Sequence, residues 1–283
     1  MHFFLFNFTK QNQLVLMKKV ILITGGSSGI GKAIGEFLLD KDYIVYGTSR
    51  NASAISHSKI KLLDLDVRNS ESINACIDKI IELEGRIDVL INNAGVGITG
   101  PLEEIPLEEI KNNFETNVFG PIEIMKAVLP QMRLQKSGLI INITSIAGYM
   151  GLPFRSIYSS SKGALELITE SLRMETKSFG IHITNVAPGD FATDIASRRF
   201  HAPIQQGSAY ETVYQNQLNM MNAHVTGGSN PIEMAVAIHK IIETKNPKIH
   251  YKVGAFMQKF SIVLKRILPD KMYEKILMNH YKL

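Results

Sequence analysis

The sequence predicts a doubly wound α/β fold, a single domain in which a parallel β-sheet carries helices on both faces. Short apolar runs of strand type alternate with segments of helical periodicity along most of the chain, which is the pattern of a parallel sheet covered on each side. The first such run breaks into a glycine-rich turn that opens a helix. With 283 residues, 45% of them hydrophobic and 20% charged, the chain is long enough for one large domain with a substantial core.

Taken in order, residues 19–24 (KVILIT) are an apolar strand ending in glycines, after which Ile30, Ala33, Ile34, Phe37 and Leu38 recur at helical spacing up to Asp40. Strands follow at 43–48 and 60–65, a helix at 70–83 and a strand at 87–92. Helices lie within 107–134, then come a strand at 138–144, a helix at 157–179, a strand at 181–186, a helix at 231–243 and a last strand at 248–253. The polar, weakly periodic stretch 190–230 interrupts the alternation and reads as a substrate-binding insertion. The domain is expected to span 17–253, because Met17-Lys18-Lys19 running into the first strand looks like a natural start. Residues 1–16 then form an upstream extension and 254–283 a C-terminal amphipathic one.

The net charge of +5 is local, since residues 240–283 hold ten Lys/Arg against three Asp/Glu. The basic pI therefore argues little for nucleic acid. A single cysteine, Cys76, excludes an intrachain disulfide framework and suits a reducing cytoplasm, where this protein is expected. The N-terminus lacks a basic flank and a cleavage site, so it is a poor secretory signal. No stretch reaches the ~18 apolar residues of a spanning helix.

The turn TGGSSGIGKA at 24–33 can be read as two phosphate loops. Counted from Gly26 it nearly spells the triphosphate loop GxxxxGK[S/T]. Counted from Thr24 it is a glycine turn for a dinucleotide pyrophosphate. The first reading fails at Ala33, where a hydroxyl is needed for Mg²⁺, and Lys32 is then a solvated helix residue. Gly25, Gly29 and Gly31 let the backbone turn and approach a phosphate, and the helix N-terminus aims N–H groups at it. At the end of the second strand, Ser49-Arg50-Asn51 contains no acid for an adenosine ribose 2′-hydroxyl. Arg50 can instead fork onto a 2′-phosphate, with Ser49 and Asn51 adding hydrogen bonds, so NADP(H) is expected over NAD(H).

Tyr158 and Lys162 are spaced i, i+4 where a helix begins, on one face. A free tyrosine titrates near ~10, and bringing it toward ~7 takes roughly 4 kcal/mol. A cation about 4 Å away at an effective dielectric of ~20 supplies about that amount. Tyr158 can thus act as general acid to a carbonyl or as base to an alcohol. Ser145 ends the strand GLIINITS, from which its hydroxyl reaches the same crevice.

These pieces together resemble the short-chain dehydrogenase/reductase family, over roughly residues 18–253. The matching residues are TGGSSGIG at 24–31, Asp66-Val67, Asn92-Asn93-Ala94-Gly95, Asn117, Ser145, YSSSK at 158–162 and Pro188-Gly189. The resemblance implies a Rossmann-type sheet, with Ser27, Ser28 and Ile30 joining the glycines around the cofactor. It implies that Asp66 and Val67 contact adenine and that Asn92, Asn93, Ala94 and Gly95 brace the sheet and line the cofactor. Asn117 would link Lys162 to a proton-conducting water, Lys162 would bind the nicotinamide ribose, and backbone near Pro188, Gly189 and Thr193 would cradle the carboxamide. The implied catalytic set is Asn117, Ser145, Tyr158 and Lys162, working without a metal. A cofactor-binding regulator without turnover is disfavoured because those four residues are intact. A sugar-nucleotide epimerase or dehydratase is disfavoured because the glycine spacing is GxxxGxG and the C-terminal part is short.

The expected substrate walls are 148–154 and 190–230, with Tyr149, Met150, Phe154 and Phe191 beside Ser145, and with no paired arginines to clamp an anion. A hydrophobic ketone, aldehyde or alcohol fits best, and the wording of 145–166 is similar to the hydroxysteroid and retinol dehydrogenase branch. Phe256, Phe260, Val263 and Ile267 form one helical stripe in a basic segment. Such a stripe is expected to pack on its own domain or on a neighbouring subunit, and can otherwise lie on an anionic membrane. The family resemblance implies a homodimer or homotetramer through the helices around 107–134 and 157–179.

Overall fold

The computed structural model describes residues 18–193 and 198–283, so the expected extension at 1–16 lies outside the described residues. The seven strand-type runs of the sequence become seven strands of one sheet: β1 (Val20–Ile23), β2 (Ile44–Ser49), β3 (Lys61–Asp64), β4 (Val89–Asn92), β6 (Gly138–Ile143), β7 (Ile181–Pro188) and β9 (His250–Val253). Their spatial order is β3-β2-β1-β4-β6-β7-β9, and every neighbouring pair is parallel. The chain winds outward from β1 through β2 to β3, then returns to β4 on the other side of β1. At that reversal the carboxyl ends of β1 and β4 leave a crevice.

β1 shows why both faces must be covered. Val20 and Leu22 enter one core cluster with Ile73, Cys76 and Ile80 of α2 (Ser70–Glu84) and with Ile124 and Val128 of a later helix. Ile21 and Ile23 enter the opposite cluster with Ile34 and Leu38 of α1 (Gly29–Leu39) and with Met234, Ile238 and Ile241 of another. Successive side chains of a strand alternate sides, so an all-apolar strand is stable only between two helix layers. Each such side chain contributes ~1.5–3 kcal/mol when fully buried.

The helical region 107–134 resolves into α3 (Leu107–Phe114), a π-helical turn over Glu115–Phe119, and α4 (Gly120–Gln135). The helix α5 (Ser156–Thr176) carries the Tyr158/Lys162 spacing.

The insertion 190–230 is more ordered than its sequence suggests. It holds β8 (Phe200–His201), which pairs in parallel with β5 (Ile98–Thr99), and the helix α6 (Glu211–Thr226). The buried stripe of α6 is Tyr214, Gln217 and Met221, and Gln217 donates to the carbonyl of Tyr281. A polar residue inside the buried stripe is what hid the periodicity.

After α7 (Pro231–Ile242) and β9, the chain ends in α8 (Phe256–Ile267) and α9 (Asp270–Tyr281). The face of α8 that packs inward carries Gln258 and Ile262, the latter only 1% exposed, in a cluster with Ile146, Met150 and Tyr273. Of the expected stripe, Phe260 and Val263 are partly covered, at 37% and 39% exposure, and Phe256 and Ile267 are not. Phe256 and Ile267 point away from the domain, at 71% and 72% exposure.

Candidate active site

The glycine turn is held open by its neighbours rather than by its own contacts. Thr24 Oγ1 accepts from the backbone N–H of Asn93 and of Ala94, each at 3.0 Å, and Asn93 Nδ2 donates to the carbonyls of Thr24 (2.9 Å) and Gly25 (3.2 Å). Gly29 is left-handed, with φ +53°, and a Cβ on Gly31 would stand 2.3 Å from the Gly25 carbonyl oxygen. Ser28, at the N-cap of α1, makes no capping bond to the helix, and no acid occupies the first turn. The N-terminal N–H groups of α1 are thus available to an anionic phosphate. Ser28 Oγ instead accepts from Arg198 Nη1 at 2.6 Å, Thr193 packs against Gly29, and Lys32 is exposed. The residues present fit a dinucleotide pyrophosphate.

At the end of β2, Arg50 is exposed beside Ser49, whose Oγ accepts from the Asn51 N–H at 3.4 Å. Burial raises the Asp66 carboxyl, but hydrogen bonds from the Arg68 backbone and guanidinium outweigh it. With the Arg50 charge, they hold Asp66 below the usual carboxylate range. Val67 backs this edge from the core.

The side chains expected to be catalytic gather where β6 ends and α5 begins. Ser145 is extended and caps a short 3-10 turn, its Oγ accepting from the Ala147 N–H at 3.1 Å. Tyr158, in the first turn of α5, hydrogen-bonds Ser145. One helical turn on, buried Lys162 donates from Nζ to the Ile143 carbonyl at 3.0 Å, and burial lowers it to about 8. The π turn rotates Asn117 inward, where its Oδ1 accepts from the Val96 N–H (2.9 Å). Its Nδ2 donates to the Val96 carbonyl (2.9 Å) and Ser161 Oγ (3.2 Å). Gly95 lets the two meet, because a Cβ there would stand 3.1 Å from Asn117 Oδ1 and 3.2 Å from Lys162 Nζ.

Two expectations need correction at this point. Lys162 Nζ lies 6.0 Å from the centre of the Tyr158 ring. Burial raises Tyr158 above its ordinary value; the Ser145 hydrogen bond and the positive fields of Arg155 and Arg199 oppose this, and Asp190 adds to it. A phenol raised in this way holds its proton, so in the protein alone Tyr158 stands ready as a proton donor.

The second correction concerns the walls. A cavity of about 100 Å³ brings together Ile30, Ser145, Tyr158, Pro188, Gly189, Phe191 and Thr193, joined by Met221. It also brings in Arg155, Asp190 and Arg199, so the site does contain paired arginines. Each has a buried Nε without an acceptor, while Arg155 Nη2 donates to Tyr281 Oη (3.2 Å) and Arg199 Nη2 to Asn222 Oδ1 (2.7 Å). Arg155 precedes Tyr158 by three residues, a spacing that places it on the same side of the helix start and was legible in the sequence. Nothing local marks Arg199 or Asp190.

Tyr149 and Met150 do not line this cavity. Tyr149 Oη meets His250 Nδ1 at 3.3 Å, and Met150 packs under α8 and α9 against Tyr273. Phe154, left-handed at φ +57°, packs on one side against Tyr214, their ring centres 5.4 Å apart. On the other it lines a wider groove of about 760 Å³ with Leu102, Leu152, Pro153, Tyr210 and Leu283.

A family model for short chain dehydrogenase matches residues 19–203. The chain is 40% identical over 267 residues to a 3-ketodihydrosphingosine reductase of Bacteroides thetaiotaomicron, covering 94% of this chain and 99% of that protein. It is 33% identical over 252 residues to human retinol dehydrogenase 8, covering 82% and 80%. A short-chain dehydrogenase structure from Streptomyces avermitilis superposes with a TM-score of 0.77 at 30% identity, over 92% of this chain and 97% of that one.

Proposed function

Since the chain belongs to the short-chain dehydrogenase family and is an oxidoreductase acting on CH–OH/C=O groups, we propose that it reduces a hydrophobic ketone with NADPH, its substrate having a polar head and a long apolar chain. The observation that carries this reading is the Ser145–Tyr158 pair facing a cavity whose charged groups are Arg155, Asp190 and Arg199. The charged trio suits polar substituents next to the carbonyl, and the apolar groove beyond Phe154 suits a chain. A 3-ketodihydrosphingosine, the compound named for the relative from Bacteroides, has that division.

A nicotinamide cofactor held at the glycine turn and beside Lys162 would supply hydride to the carbonyl carbon. Ser145 Oγ donates to the carbonyl oxygen, Tyr158 delivers the proton to it, and Lys162 with Asn117 passes the replacement proton inward. Arg50, with no competing acid among Ser49 and Asn51, supports the phosphorylated dinucleotide. We further propose a homodimer or homotetramer in the cytoplasm, built on the faces of α4 and α5 that leave Leu134, Leu167 and Met174 exposed.

The test is oxidation of NADPH and NADH with 3-ketodihydrosphingosine, retinal, a ketosteroid and a short polar ketone. The long-chain ketone with NADPH is expected to react fastest. Preference for the short polar ketone, or for NADH, would overturn the reading.

A further inference from the structure

The outward face of α8 carries Phe256, Met257, Phe260, Val263 and Ile267, all exposed. The rings of Phe256 and Phe260 stack on each other at 5.8 Å with planes 10° apart, two aromatic side chains paired in water. An apolar row of this size needs a partner. The opposite face of the same helix is already committed, through Ile262 and Gln258, to the domain. On the same helix Lys259 and Arg266 flank the row, and residues 254–283 as a whole hold six Lys/Arg against two Asp/Glu.

We propose that α8 and α9 form a docking surface for an anionic lipid bilayer, with α8 lying in the plane of the interface and its apolar row among the acyl chains. Charge selects this occupant. In a twofold contact with a second copy the same basic surface would meet itself, whereas anionic headgroups neutralise it. No helix among the described residues is long and apolar enough to cross a membrane, and a basic amphipathic helix of this kind binds in the interface plane. This surface is independent of the substrate assigned above.

The test is cosedimentation of the full chain with vesicles of phosphatidylcholine alone and of phosphatidylcholine with phosphatidylglycerol, at low and high salt. The chain is expected to pellet with the anionic vesicles at low salt. The pair Phe256→Ser/Phe260→Ser and the pair Lys259→Glu/Arg266→Glu should each weaken binding at least about tenfold. Melting curves check that both pairs fold, and Ile267→Ser provides a third exposed site. The proposal is overturned if the wild-type chain stays in the supernatant, if folded variants bind like wild type, or if the serine pair instead splits an oligomer of a chain that ignores vesicles.

Discussion

Gln258 holds Asp190 by both ends: its Nε2 donates to the Asp190 carboxylate at 2.6 Å, and its Oε1 accepts from the Asp190 N–H at 3.2 Å. The first residue of the insertion, which lines the cavity of Ser145 and Tyr158, is thereby tied to α8, 68 residues later in the chain. Replacing Gln258 with alanine removes two hydrogen bonds worth ~1–3 kcal/mol together. It should lower kcat/KM for the ketone about tenfold while the affinity for NADPH changes little. Steady-state kinetics beside a cofactor titration will separate the two, and unchanged kcat/KM would show that the tie does not position Asp190.

Tyr158→Phe keeps the ring and its packing but removes the proton. Turnover should fall by ~10²–10⁴, with cofactor binding, followed by NADPH fluorescence, close to wild type. Full activity in this variant would remove Tyr158 from the mechanism.

Arg50→Glu places an acid where a 2′-phosphate is expected. The preference for NADPH over NADH should drop by roughly ten- to a hundredfold. A preference ratio that does not move would mean that Arg50 is only a solvated strand end.

Gly31 has no room for a side chain, because a Cβ would come within 2.4 Å of Asn93 Nδ2 as well as crowding the Gly25 carbonyl. Gly31→Ala should cost about 3 kcal/mol of stability and weaken the cofactor with it. Chemical denaturation measures the first effect and titration the second. A fully stable variant that binds normally would contradict the packing described for the turn.

Glu166 is 6% exposed, accepts from Thr144 Oγ1 at 2.8 Å, and sits near Tyr149, His250 and Glu170 under the C-terminal helices. Burial raises it to about 7; hydrogen bonds from Thr144 and Tyr149 act against this, Glu170 adds to the rise, and Lys252 opposes it. The native state therefore holds a proton that the unfolded chain releases. The stabilisation is complete below about 4.5 and lost as pH rises through about 7. Melting temperatures of wild type and Glu166→Gln should diverge by ~3 °C between pH 5 and pH 8, with wild type losing more. Parallel curves would show that Glu166 ionises freely.

The contiguous signals were enough for the sheet and for the residues that gather at the candidate site. The run at 19–24, the glycines that follow it and the four-residue step from Tyr158 to Lys162 are local patterns. A strand buried on both faces, a turn without Cβ atoms and a shared helix face each follow from residues close in sequence. What the tertiary structure alone decided depends on sums over distant groups. Whether Tyr158 is raised or lowered is set by burial and by Arg155, Arg199 and Asp190, which arrive from separate segments. Periodicity shows that Phe256, Phe260, Val263 and Ile267 share a face, and the position of Tyr149 and Met150 between Ser145 and Tyr158 suggests a substrate wall that they do not form. Which face is covered, and by what, is settled only when Ile262 and Tyr273 take the inward positions and leave the row outside.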